Sequence, residues 1–336
     1  MTQELDVWGK QSARRDAADA AMRQSSLGGE AQRLQTRAEV RLGLMTASSL
    51  TEAMQSNAGT LAHLRRIRGA SAGFVDPRMG YYANTVFNSD LAGIESDLRD
   101  LKEARDKALL QLHRLIGIKE EIKPPAPEEI PLPPAPALTE LLNRAHEKNP
   151  ERLAANLALA RAESNERLAM LGDRPNPSLF LGAGQNTIGT SNLGLKGPGP
   201  ENERERTFRF GAKIPIPISK YNDGALEAAR QEKRKAAMDL ERIETQLDFS
   251  VKQTAERYTA YREAICEIGP VGDSGSNLAA IDQAFLAGRI SYFDFMGEYE
   301  RTAKVLKRRA DSYIGAAASL GALELLTGQT LDKEQE

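Results

Sequence analysis

The hydrophobic positions of this chain keep a helical period over most of its length and leave it in one place. Leu240, Ile243, Leu247, Val251, Thr254, Tyr258, Tyr261 and Ile265 recur at steps of three and four, the spacing of a packed helix face or a coiled-coil seam. They predict a very long helix over 219–287, about 100 Å at about 1.5 Å per residue. Pro270, Gly272 and Gly275 predict a kink or a break in it, after which the helix resumes to about Ala287. Gly288 turns the chain, and a helix returns over 292–326 to a stop at Gly328. A further helical stretch runs from Leu138 to Gly172 and ends at Arg174-Pro-Asn-Pro177.

The exception lies between these helices. Residues 178–185 (SLFLGAGQ) read as a strand, 186–202 as a Gly/Asn/Pro-rich loop, and 206–216 as a second strand. In the second strand Phe208, Phe210, Ala212 and Ile214 fall on one face; Thr207, Arg209, Gly211 and Lys213 fall on the other. Alternation with period two marks a strand with one apolar and one wet side. A soluble hairpin with one buried face explains the alternation as well, when the strands are considered alone.

The pattern also repeats. Phe74, Arg78 and Tyr81 in FVDPRMGYY match Phe285, Arg289 and Tyr292 in FLAGRISYF at an offset of 285 minus 74, or 211 residues. The same offset places Leu109, Leu112, Leu115 and Gly117 on Leu320, Leu323, Leu326 and Gly328. The chain therefore reads as a tandem duplication. Residues 1–117 form an incomplete first repeat, with a strand remnant, a long helix, a turn near 77–81 and a returning helix. Residues 138–328 form the second, and 329–336 a polar tail. The connector, 118–137, holds seven of the sixteen prolines; it reads as an extended, polyproline-like segment or a plain linker.

Composition narrows the function classes. Aromatics make up 5% of the chain, charged residues 27%, and mean hydropathy is −0.47, a mix that suits long helices better than one thick core. A net charge of −2 with interspersed signs gives no footprint for nucleic acid. His63, His113, His146 and the single cysteine, Cys266, show no metal-ligand spacing. No nucleophile–base pair or phosphate loop is visible, so an enzyme is not expected and no cofactor is implied. No apolar run reaches the ~18–20 residues of a spanning helix, and no signal peptide is visible at Met1–Lys10.

In order, these segments resemble the outer-membrane factor family typified by TolC, and within it the CzcC-like branch that serves heavy-metal and cation efflux. Asn149-Pro-Glu151, Arg174-Pro-Asn-Pro-Ser-Leu179, Phe210-Gly-Ala-Lys-Ile-Pro-Ile-Pro-Ile218 and Ala287-Gly-Arg-Ile-Ser-Tyr-Phe-Asp294 carry the resemblance. Leu5-Asp-Val-Trp-Gly-Lys10 looks like the family's exit from a strand into its long helix. Whatever the family places before that point is expected to be missing, signal peptide included.

The resemblance implies a mainly α fold with a small β part: long helical hairpins forming a periplasmic α-barrel, plus transmembrane β-barrel strands. It implies a homotrimer in the outer membrane, with a periplasmic adaptor and an inner-membrane RND pump as partners. On this reading Phe208, Phe210, Ala212 and Ile214 face lipid, and Arg209 and Lys213 face the lumen. Arg78, Gly80, Gly288, Arg289 and Ser291 are the expected adaptor contacts at the periplasmic tip; shaping a turn is the plainer role for them. Asp294 is the candidate pore constriction, although its first-repeat counterpart is Ala83 and the position three residues on is Gly297. A coiled-coil scaffold and a periplasmic adaptor are the rival readings. Three copies of these 336 residues bring too few strands for the family's barrel, so the chain alone is not expected to form a pore.

Overall fold

A computed structural model describes residues 2–71, 80–118, 120–188, 203–214, 222–269, 280, 281, 283–285 and 287–331. In chain order these form strand β1 (Thr2–Glu4), helices α1 (Lys10–Ser71) and α2 (Gly80–Ile116), a 3-10 turn (Pro127–Glu129), helices α3 (Leu138–Lys148) and α4 (Pro150–Met170), strands β2 (Ser178–Ile188) and β3 (Glu203–Lys213), and helices α5 (Asp223–Ile268) and α6 (Tyr292–Thr327). They group into two compact units: Met1–Leu27 with Glu151–Ile243, and Gly28–Pro150 with Glu244–Glu336. Each unit draws on both halves of the chain.

The first unit contains an antiparallel sheet of order β1-β2-β3. The β2–β3 register runs from Ser178 opposite Lys213 to Ile188 opposite Glu203, so both strands begin or extend beyond the segments that alternation marks. β1 pairs through Thr2–Phe180, Gln3–Leu179 and Glu4–Ser178, and Leu5 N–H donates to Pro177 O at 2.8 Å. Among the described residues, β3 has a strand on one side only and keeps an open edge. Gly211 stands opposite Phe180, where a Cβ would lie 2.7 Å from the ring. The missing side chain makes room for the aromatic. Below the sheet, the Asp6 carboxylate accepts from Lys10 N–H at 2.9 Å and Gln11 N–H at 2.6 Å, filling orphan donors of α1's first turn. At the start of α5, the Asn222 side-chain amide donates to Ala169 O.

The second unit is helical. Leu141, Ala145, Leu247, Val251, Tyr258, Ala316, Leu320 and Leu323 form its largest buried cluster. Helices approach closely where a residue is small. A Cβ on Gly321 would meet Ala38 Cβ at 2.6 Å, and one on Gly43 would meet Leu112 at 2.8 Å. The connector is pinned to the core at a few points. Ile130 packs with Met45, Tyr313 and Ala317, Ser48 Oγ donates to Pro125 O at 2.6 Å, and the Tyr258 hydroxyl donates to Pro133 O.

One expected helix differs from the pattern reading, and a second settles an alternative left open. The stretch 138–172 is two helices, because Pro150 lacks an N–H and disfavours a helical Asn149 before it; Asn149 has ψ 120°. The buried Asn149 side chain instead donates to Leu326 O at 2.9 Å, at the end of α6. The helix expected over 219–287, with a kink or a break near Pro270, takes the break: it begins as α5 and stops at Ile268. Gly269 adopts φ +69°, a left-handed stop just before Pro270; residues 270–279 lie outside the described residues. Residues 280, 281 and 283–285 are helical again.

Two buried arginines tie the second unit together. Arg41 Nη1 donates to Glu324 Oε2 at 2.7 Å, and Glu324, fully buried, also accepts from Leu331 N–H at 3.0 Å. Arg309, only 2% exposed, donates to Gly269 O at 2.5 Å, pairs with Glu128 of the 3-10 turn, and lies over the Tyr313 ring at 5.5 Å. Removing one member of a buried pair strands the other charge. Glu324→Ala is therefore expected to cost about 3–5 kcal/mol, and Arg41→Met with Glu324→Met to recover most of it. Urea midpoints of the three chains check this.

Candidate functional site

Two surfaces carry the residues singled out in the sequence. The first is the β2–β3 hairpin. Because cross-strand partners share a face, the register puts Leu179 with Ala212, Leu181 with Phe210 and Ala183 with Phe208 on one side. Phe208 is 73% exposed and Phe210 84%, and Leu179, Leu181 and Ile214 are exposed as well. Arg209 and Lys213 alternate with them, opposite Gly182 and Ser178 on the other side. Ile214 follows the last residue of β3. Leu179 and Leu181 join the apolar face although only β3 was singled out; their alternation in SLFLGAGQ was the available signal. The hairpin thus presents an apolar face to its surroundings, with no described side chains buried beneath it.

The second surface is the turn into α6. Gly288 has φ +70°, which an L side chain resists. Its N–H donates to Phe285 O at 2.9 Å, and Arg289 N–H donates to Ala284 O at 2.8 Å. Phe285 and Ile290 flank the turn and pack against Leu61, Leu64, Phe87, Leu91, Phe295 and Tyr299; the Phe285 and Phe295 rings lie 5.4 Å apart. With these two apolar side chains anchored, Gly288, Arg289 and Ser291 are left exposed. Gly80 is the first residue of α2. Arg78 lies outside the described residues, as does loop segment 189–202.

Ser291 and Asp294 form a capping box. Ser291 Oγ accepts from Asp294 N–H at 3.2 Å. Asp294 Oδ2 accepts from Ser291 Oγ–H at 2.6 Å and from Ser291 N–H at 3.1 Å. The hydroxyl, then the backbone N–H, holds the exposed Asp294 carboxyl below its ordinary value of 3.8. The S-x-x-D spacing is a helix-start signal in the sequence itself, and the structure shows Asp294 serving that role whatever else it does. Among the described residues no group of three His, Cys, Asp or Glu could hold a metal ion, and no helix is long and apolar enough to cross a membrane.

No protein-family model matches the sequence, and no curated protein matches it. Solved structures do match the fold. The open state of the MtrE outer-membrane channel of Neisseria gonorrhoeae superposes with a TM-score of 0.78 at 18% identity, covering 100% of this chain and 75% of that one. VceC, an outer-membrane protein of Vibrio cholerae, gives 0.71 at 18% identity, covering 98% and 78%. The CmeC outer-membrane channel of Campylobacter jejuni gives 0.69 at 15% identity, covering 97% and 69%. Every described helix and strand falls within an alignment that takes in the whole chain, so the protein has the fold of these outer-membrane channels.

Proposed function

We propose that the chain is the outer-membrane channel component of a tripartite, RND-type efflux system, and that it works as a conduit without catalysis. The exposed apolar face of the hairpin carries this reading. Strands of eleven residues match the ~9–11 that a tilted strand needs to span a bilayer, and lipid is the surrounding that favours exposed Phe208 and Phe210. An open strand edge is not tolerated in lipid, so β3 calls for a further strand from another copy. That favours assembly with further copies, as in a homotrimer.

The tandem duplication belongs to the same proposal. Helices α2 and α6 end at Ile116 and Thr327, 327 minus 116 or 211 residues apart. Each is followed by a glycine with positive φ, Gly117 at +75° and Gly328 at +66°. The turn at Gly288, Arg289 and Ser291, with Arg78 and Gly80 of the other repeat, is the surface offered to a periplasmic adaptor. Heavy-metal cations are the cargo that the CzcC-like resemblance suggests, and a ring of three Asp294 carboxylates would favour cations at the mouth.

Deleting the gene is expected to lower survival in zinc, cobalt or cadmium, and plasmid-borne wild type to restore it. Phe208→Asp with Phe210→Asp should fail to restore survival and leave the protein out of the outer-membrane fraction. Unchanged survival, with wild-type protein found only in soluble fractions, would overturn the reading. At the turn, Asp294 has a folded-state pKa below its unfolded value. The stabilisation from its cap is therefore complete above about pH 3.8 and is lost as pH falls through the lower folded-state value. Ser291→Ala should raise the midpoint of Asp294 in a carboxyl-carbon NMR titration.

A further inference from the structure

We propose that Trp8 and Arg174 form an interfacial anchor that takes the phosphate of a lipid headgroup, at the end of the sheet where strands give way to helices. The proposal rests on the reading of the hairpin as membrane-embedded and adds to it a binding site and a ligand class.

Trp8 is the chain's single tryptophan and is 45% exposed. Its indole N–H already donates to Pro175 O at 3.3 Å, and the Arg174 guanidinium lies over its ring, 5.4 Å from the centroid. A large ring left on the surface with its one polar group bonded suits the boundary between acyl chains and headgroups. Leu5 and Val7 beside it are exposed too, and the Leu5–Pro177 hydrogen bond continues the sheet whose apolar face includes Leu179.

Arg174 supplies the charge. Stacking engages one face of the guanidinium and none of its five N–H donors, and Arg174 makes no ion pair among the described residues. The nearby Asp6 carboxylate is committed to the first turn of α1. What remains is a planar donor fork, suited to bidentate phosphate contact, held over an aromatic ring beside apolar side chains. A soluble phosphate would gain nothing from the ring or from Leu5 and Val7. A lipid phosphate brings acyl chains to cover them.

Because Trp8 is alone, its fluorescence reports this site directly. The full chain would be reconstituted in phosphatidylglycerol-containing vesicles whose lipids are brominated at defined depths. Trp8 emission is expected to shift to the blue and to be quenched most by bromines high on the acyl chain. Arg174→Gln should reverse part of the shift. Phe210→Cys in a Cys266→Ala background, probed with an aqueous maleimide, reports independently on the sheet. If Cys at 210 is protected while Trp8 is unquenched at every depth, the anchor is overturned and the membrane reading stands. If Cys at 210 labels freely, both fall. An equal Arg174-dependent shift with inorganic phosphate alone, in detergent, would overturn the lipid assignment in favour of a free anion.

Discussion

A guanidinium removed from water must be surrounded by acceptors, and that requirement organises the helical unit around Arg309. Full desolvation of an unpaired cation would cost several kcal/mol. The chain meets it with the carbonyl of Gly269 and the carboxylate of Glu128, and lays the group over Tyr313. Those partners come from the end of α5, from the proline-rich connector and from α6 itself. One side chain therefore ties the end of α5 and the connector to α6. Arg41 and Glu324 do comparable work between α1 and α6. The apolar clusters supply bulk, but an apolar surface is indifferent to small slips in register. A buried ion pair is not.

The sheet unit obeys a different constraint. Its hairpin buries little and displays much, which inverts the ordinary preference of Phe and Leu for an interior. The inversion is tied to a strict cross-strand register: a slip of one residue would put Arg209 and Lys213 on the face of Leu179 and Leu181 and turn Phe208 and Phe210 away from it. Gly211 contributes by admitting the Phe180 ring on the opposite face. Sidedness is thus set by pairing and not by a core.

Much of this architecture was legible because it rests on local patterns. Alternation around Phe208–Ile214 marked β3, and Gly288 and Gly328 marked both ends of the returning helix. Around Pro270 the prolines and glycines left a kink and a break both open, and Gly269, free to adopt positive φ, decides for the break. The connector's prolines correctly excluded a helix, but composition could not say that Ile130 would be buried or that Glu128 would find a cation 181 positions on. Arg41 and Glu324, 283 positions apart, look in sequence like any two surface charges. The Ser291–Asp294 spacing carried its cap openly. The Trp8–Arg174 stack needed the fold to bring it together.

The open edge of β3 has a consequence for the life of the chain before assembly. Eleven residues of extended backbone with exposed phenylalanines form a template that any other extended segment can extend. Each newly made copy is a potential seed for disordered polymerisation until another strand occupies that edge. The higher the concentration of copies with that edge uncovered, the faster such pairing proceeds.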